Sequence, residues 1–116
     1  MTRRLVIIAA ACGSLALPAG ASAHTGIKSL SPRAGGSASR DLTVVKVNFD
    51  ARVTDATLVV KRNGTKVSRG DGTLANRSRQ VRARLRSTRA GRHTATVRWL
   101  SSDGHVESKT WSFRLR

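Results

Sequence analysis

The sequence is nearly devoid of sulfur and has no tyrosine. Cys12 is its only cysteine and Met1 its only methionine. One cysteine cannot form an internal disulfide, so folding must depend on the hydrophobic core. There is also no cysteine and histidine cluster with zinc-site spacing and no glycine-rich phosphate loop. These absences exclude a disulfide-stabilised scaffold, a zinc finger and a P-loop nucleotide-binding protein.

Long apolar runs are missing except near the N terminus. There, a short basic start precedes a mostly apolar stretch, residues 5–17, and the small residues alanine, serine and alanine stand at positions 21–23. This order is typical of a secretory signal peptide followed by its cleavage site. We therefore predict that residues 1–23 are a signal peptide that is removed on export.

The expected mature chain begins at His24, and residues 24–116 are long enough for one domain. The apolar stretch is too short, and too interrupted by Gly13 and Pro18, to be a membrane span. We therefore expect a soluble protein in the periplasm or outside the cell. Lipoprotein processing at Cys12 is the alternative, and it ranks lower because the leucine usual three residues before such a cysteine is missing.

Acidic residues are scarce as well. Six aspartates and glutamates stand against 22 lysines and arginines, and removal of residues 1–23, which contain two arginines, lowers the formal net charge from +16 to +14. A small domain of this charge is expected to attract polyanions. For an exported protein, anionic envelope polymers and lipid headgroups are the expected partners, and no specific nucleic acid is expected. The dense arginines between Arg77 and Arg92 are interpreted as a solvated face.

What the sequence does contain is the two-residue alternation of β-strands, with no helical periodicity after residue 24. Asn63-Gly64 lies between two such runs and predicts a hairpin, because both turn positions need positive φ. The alternating runs are 41–50, 57–61, 65–67, 80–86, 93–101 and 106–115. Together with a short edge strand and loop between Thr25 and Gly36, they predict about seven strands in an all-β, immunoglobulin-like Greek-key β-sandwich.

The last three runs also predict which side chains form the core. Their apolar members recur at every second position and should share one buried face: Val81, Ala83, Leu85, Ala95, Val97, Trp99, Trp111, Phe113 and Leu115. The arginines between the first three should face solvent. His93 begins one of these runs and is expected to serve packing or to lie at the surface.

Three residues offer metal ligands. A histidine at the mature N terminus carries a free amine, which titrates near about 8, and a ring nitrogen that can bind the same metal. Asp103 and His105 stand two residues apart, which puts side chains on one face of an extended chain. Nitrogen and oxygen ligands without sulfur suit tetragonal Cu(II) better than Cu(I) or structural zinc. We therefore predict a copper site made of His24, Asp103 and His105.

The same features resemble the CopC copper-resistance domain, a family of small exported β-sandwiches. The specific part of the resemblance is the Ser-Ser-Asp-Gly-His run at its distance from a mature N-terminal histidine. The matching segments are Ala23-His24, Ser31-Pro32 followed by Gly35, Val47-Asn48-Phe49, Gly91, Ser101-Ser102-Asp103-Gly104-His105 and Ser112-Phe113.

The resemblance implies Cu(II) ligation by the amine and ring of His24, by Asp103 and by His105. It also implies a copper carrier or store outside the cytoplasm that works beside a CopD-type membrane importer. This chain has Ala51 where some members place a ligating glutamate, so Asp50 or water is the expected fourth ligand. The methionine-rich Cu(I) ligands of some members are absent, so we expect a protein that binds Cu(II) only and is not an enzyme.

Two alternatives use the same residues differently. The first is a cationic adhesion module that holds no metal and acts through its net charge. The second is a copper-dependent polysaccharide monooxygenase, since those enzymes also use an N-terminal histidine on a β-sandwich. The enzyme needs two imidazoles besides the amine and a broad flat substrate face. Only His93 could add a further ring to those of His24 and His105, aromatic residues are few and the chain is short, so this alternative ranks last.

Overall fold

The computed structural model describes residues 25–116, which form nine β-strands in two packed sheets. Within these residues no helix is long and apolar enough to span a membrane. The strands are β1 (Ile27–Ser31), β2 (Ser37–Ala38), β3 (Val44–Phe49), β4 (Val53–Arg62), β5 (Thr65–Lys66), β6 (Thr73–Ala75), β7 (Gln80–Arg84), β8 (Gly91–Ser101) and β9 (Val106–Leu115).

One sheet has four strands in the order β1-β3-β7-β6, and the other has five in the order β2-β9-β8-β4-β5. All neighbours are antiparallel except β2 and β9, which run parallel. The chain crosses from one sheet to the other at several connections, among them the one from β3 to β4. The predicted all-β sandwich is therefore confirmed. The structure has nine strands instead of about seven, because it adds β2 and β6, which are only two and three residues long and show no alternation in the sequence.

The strands follow the predicted runs with small changes at their ends. β3 begins at Val44 because the residues before it turn back, with the Leu42 N–H donating to the Ser39 carbonyl at 3.0 Å. β4 and β5 form the predicted hairpin, in which Asn63 and Gly64 have φ of 52° and 77°. β1 lies at a sheet edge, as the sequence indicated, and it ends immediately before Pro32.

The core lies between the sheets and uses the predicted alternate positions. On β8 the odd-numbered residues from His93 to Ser101 are buried, whereas Arg92, Thr96 and Arg98 are exposed. The nine residues predicted to share the buried face are all buried. Within residues 25–116 the buried hydrophobic residues run from Val45 to Leu115, and partly buried ones such as Ile27 and Leu30 pack against them, so a chain beginning at His24 contains the whole described core.

Strand β8 runs the full length of the sandwich and gives it two distinct ends. At the turn end, Ser101 finishes β8, the 101–105 turn leads into β9, and Thr25 starts the described chain. The arginine end holds the start of β8 at Gly91, the end of β4 at Arg62 and the end of β9 at Leu115. With 11 residues in β8, the ends lie roughly 35 Å apart at the usual rise per residue.

Candidate metal site

The 101–105 turn connects β8 to β9 and is closed by its own backbone. The Ser101 N–H donates to the His105 carbonyl at 2.9 Å, and the Gly104 N–H donates to the Ser101 carbonyl at 2.9 Å. Gly104 has a φ of 91°, a conformation that glycine adopts without a steric penalty. The turn therefore presents the residues on either side of Gly104 in one defined arrangement.

Asp103 and His105, the two predicted ligands in the turn, are brought into direct contact. One carboxylate oxygen of Asp103, Oδ1, accepts the His105 backbone N–H at 3.1 Å, and the other, Oδ2, lies 2.9 Å from the ring Nδ1 of His105. The Asp103 side chain is only 18% exposed, whereas the His105 side chain is 63% exposed. The carboxylate is thus held in place, and the imidazole stands at an accessible surface.

The carboxylate also changes the acid–base behaviour of the ring. The pKa of His105 is raised, chiefly by its hydrogen bond to Asp103 and by the negative charge of that carboxylate. Glu107 contributes a smaller Coulombic effect in the same direction. Asp103 therefore favours the protonated ring in the metal-free protein, and a metal ion at this place must displace that proton.

Glu107 was not among the residues predicted from the sequence. It lies on β9 directly opposite Trp99 of β8, whose side chain points into the core. The alternation of Asp103, His105 and Glu107 at every second position was the signal that could have identified it. Its contribution is negative charge next to the imidazole.

The start of the described chain is fixed beside the turn. Thr25 is 4% exposed, and its N–H donates to the hydroxyl of Ser101 at 3.4 Å. Its carbonyl accepts the indole N–H of Trp99 at 2.9 Å, and its own hydroxyl donates to the Arg52 carbonyl at 3.4 Å. Three contacts to β8 and the β3–β4 connection therefore hold Thr25 at the turn end.

Asp50, the predicted substitute for a missing fourth ligand, fixes the next residue. Its Oδ1 accepts the Gly26 N–H at 3.0 Å, and its own N–H donates to the Gly26 carbonyl at 3.0 Å. A Cβ at position 26 would lie 3.0 Å from Asp50 Oδ2, so glycine allows this close approach. Asp50 thus has a structural role in anchoring the chain start, and its role as a metal ligand stays a prediction.

His24, the third predicted ligand, lies outside the described residues. Within residues 25–116, no group of three or more histidine, cysteine, aspartate or glutamate side chains is arranged to hold a metal ion. Asp103 and His105 are therefore an incomplete ligand set as they stand. The copper site of His24, Asp103 and His105 therefore stays a prediction.

The family of the chain follows from a match that spans nearly all of the described residues. Residues 27–116 match the family model described as the CopC domain. The chain belongs to the CopC domain family. A comparison with curated proteins gives no match.

Solved structures share the fold of this CopC domain. CopC from Methylosinus trichosporium OB3b is 22% identical with a TM-score of 0.67, and the alignment covers 79% of this chain and 93% of that one. PcoC, a methionine-rich copper resistance protein from Escherichia coli, is 21% identical with a TM-score of 0.66, covering 81% of this chain and all of PcoC. At these identities the solved structures establish the sandwich fold alone.

His93 of this CopC domain belongs to the core and lies far from the turn. The residue is 0% exposed, its ring stacks on Phe113 with centroids 5.4 Å apart, and its Nδ1 lies 3.0 Å from the Gly91 carbonyl. It sits near the start of β8, whereas the turn follows the end of that strand. The packing role is confirmed, and His93 cannot add a further ring to those of His24 and His105 at the turn end.

Proposed function

We propose that this CopC domain binds one Cu(II) ion at the turn end, through the amine and ring of His24, the carboxylate of Asp103 and the imidazole of His105. The observation that carries the proposal is the hydrogen bond between Thr25 and Ser101, which are 76 positions apart in the sequence. It brings the residue that follows His24 to the first residue of the turn that holds the other two ligands.

The covalent chain limits how far His24 can be from the turn. Consecutive Cα atoms are about 3.8 Å apart across a trans peptide. Since Thr25 is hydrogen-bonded to Ser101 and to Trp99, the α-amine of His24 is only one residue away from a backbone position that is already fixed. Three bonded contacts thus reduce the entropy cost of bringing the amine to the site.

The chemistry of the ligands favours Cu(II). Amine, imidazole and carboxylate provide nitrogen and oxygen donors, which suit tetragonal Cu(II). Residues 25–116 contain neither cysteine nor methionine, so that part of the chain offers no sulfur ligand for Cu(I). The contact between Asp103 Oδ2 and His105 Nδ1 at 2.9 Å holds the two side chains next to each other, so both are placed to reach one metal ion.

The biological role that fits such a site is copper storage or delivery outside the cytoplasm. The E. coli protein PcoC, which shares the fold, is named as a copper resistance protein. Export with cleavage before His24 is a necessary part of the proposal, because only cleavage there produces the free amine. A CopD-type membrane importer is the partner that the family resemblance implies for delivery.

The proposal is tested by comparing two chains that differ only at the N terminus. N-terminal sequencing of the exported protein should find His24 first, and titration of that chain with Cu(II) should show one tight site. A chain that keeps Ala23 ahead of His24 retains the ring but lacks the free histidine amine. Its affinity should fall by at least the roughly 10–100-fold that loss of an outer-shell partner costs.

Electron paramagnetic resonance of the loaded protein reports the donors directly. The His24 chain should give a tetragonal Cu(II) signal with nitrogen coupling, and His105→Ala should alter that coupling. If both chains bind copper equally well, or if the exported protein begins at another residue, the proposed ligand set is wrong.

A further inference from the structure

The acidic residues of this domain are concentrated at its turn end, whereas its arginines are found at both ends. Four of the six acidic residues lie at or near the turn end: Asp50 contacts Gly26, Asp55 pairs with Leu100, Glu107 pairs with Trp99, and Asp103 is in the turn. The arginine end and the loops around it carry Arg40, Arg62, Arg69, Arg86, Arg89, Arg92, Arg114 and Arg116.

These arginines have little local compensation. Within residues 25–116, Asp71 is the acidic residue that pairs with a basic side chain near this end, and its partner is Lys66 at 3.2 Å rather than an arginine. Two arginines instead donate to loop carbonyls, Arg40 to Thr88 at 3.2 Å and Arg62 to Ala90 at 3.0 Å. The guanidinium groups are thus positioned by the backbone without being neutralised by a described carboxylate.

Like charges are also placed directly opposite each other in the five-stranded sheet. Arg92 of β8 pairs with Arg114 of β9, and Lys61 of β4 pairs with Lys66 of β5. Directly opposed like charges destabilise a sheet. The charge of Lys66 is already paired with Asp71, whereas the pair of Arg92 and Arg114 has no such described partner, so a bound anion would relieve its repulsion.

The Arg92 and Arg114 pair lines a shallow hollow on the outer sheet face. Ser37 and Ser112 line the same hollow, and the Arg92 guanidinium donates to the Ser112 hydroxyl at 3.3 Å. Two guanidinium groups and two hydroxyls can donate hydrogen bonds, and the oxygens of a phosphate group accept such bonds. The hollow therefore fits a phosphate group.

From these observations we infer that the arginine end docks on the anionic phosphate headgroups of a lipid bilayer, with one headgroup in the hollow of Arg92 and Arg114. Three of these arginines lie on three strands of the five-stranded sheet, and the other five lie outside the strands, so they are spread over several segments of the chain and do not follow one strand. This arrangement matches a planar array of phosphates better than a single polymer strand. The turn end, roughly 35 Å away, then faces away from the membrane.

A vesicle-sedimentation experiment with two charge-matched variants tests this docking surface. The wild-type chain beginning at His24, without copper, should sediment with phosphatidylglycerol-containing vesicles and remain free with pure phosphatidylcholine vesicles. Arg92→Gln combined with Arg114→Gln removes two charges from the arginine end, and should lower partitioning roughly thirtyfold by the usual contribution of a basic residue near an anionic bilayer.

The control combines Arg52→Gln and Arg79→Gln, two exposed residues at the turn end. This control has the same net charge as the arginine-end variant. It should nevertheless partition about as well as wild type, because its missing charges lie several Debye lengths from the bilayer. An equal loss in both variants would show that net charge alone drives binding, and would overturn the inference. Absence of vesicle binding, or binding to polyphosphate that vesicles do not compete with, would also overturn it.

The outcome is independent of the proposed copper site, since no metal is present in the assay. Thermal unfolding of each variant verifies that it is folded before it is compared. Cu(II) titration of the variant with Arg92→Gln and Arg114→Gln should show unchanged copper affinity. A failure of the membrane inference can therefore be distinguished from a failure of the copper proposal.

Discussion

The indole N–H of Trp99 donates to the backbone carbonyl of Thr25 at 2.9 Å, across 74 positions of sequence. Trp99 also packs against Phe49, with ring centroids 5.4 Å apart, so the donor is held by the core. A core side chain on β8 thereby fixes the chain start beside the turn that follows the same strand. The position of the proposed amine ligand depends on this bond as much as on the ligands themselves.

Replacement of Trp99 by phenylalanine should weaken copper binding without removing a ligand. The substitution leaves an aromatic ring but abolishes the bond to Thr25, so the free energy of unfolding should fall by about 1 kcal/mol or more. The chain start also becomes less ordered, so Cu(II) affinity should fall, as measured by calorimetric titration.

Trp111→Phe is the matched control for Trp99→Phe. The Trp111 indole N–H donates to the Pro32 carbonyl at 2.9 Å, in a loop away from the turn. This variant should lose similar stability and keep its copper affinity. If both variants lose copper affinity equally, the loss is caused by reduced stability of the fold and not by the missing hydrogen bond to Thr25.

Asp103→Asn should return the pKa of His105 toward its ordinary value in the metal-free protein. The raised pKa depends mainly on the hydrogen bond and charge of Asp103, and the substitution removes the charge. Nuclear magnetic resonance titration of the His105 ring protons measures the change directly. Glu107→Gln should lower the same pKa by a smaller amount, and a larger effect from Glu107 would contradict the geometry.

The same raised pKa makes a prediction about stability. Because the folded state binds the His105 proton more tightly than the unfolded state, its contribution is fully present below about pH 6.5 and is lost as the pH rises through the folded pKa. Denaturant unfolding of the metal-free protein at several pH values should show this decline. Asp103→Asn should flatten it.

His93→Phe should be tolerated or should stabilise the domain. The Nε2 of His93 is buried and has no hydrogen-bond partner among the described residues, which costs about 1–3 kcal/mol. Phenylalanine keeps the stacking on Phe113 and removes that buried polar atom. Chemical denaturation should show equal or higher stability, and copper affinity should be unchanged, since the ring is remote from the turn.

His93→Ala is the complementary variant. It leaves a cavity beside Phe113 and should destabilise the domain by about 3 kcal/mol. A small effect from this substitution would mean that the ring does not fill core space.

Arg114→Gln should stabilise the domain in the absence of any anion. Arg114 faces Arg92 across the β8–β9 ladder, and removal of one charge relieves a repulsion of about 0.2–1 kcal/mol. The gain should shrink as salt is added, because salt screens the exposed pair. Arg52→Gln, at the turn end and outside any such described pair, should change stability less. A gain from both variants would point to net charge instead.

The sequence by itself determined the longer strands, the core and the family resemblance. Alternation of apolar and polar residues along 93–101 assigns each side chain to a face, since successive residues of a strand point to opposite sides. Asn63-Gly64 determined a hairpin through a local preference for positive φ. The Asp103 and His105 pair was also predictable, because two residues in one turn are neighbours by covalent connection.

Only the tertiary structure decided which distant groups meet. Thr25 and Ser101 are 76 positions apart, and no local pattern in the sequence shows that packing of the two sheets brings them together. The same holds for the complete burial of His93, for the position of the Glu107 carboxylate near His105, and for the cross-strand pairing of Arg92 with Arg114. The physical reason is that strand pairing and sheet packing, unlike alternation, depend on contacts between segments far apart in the chain.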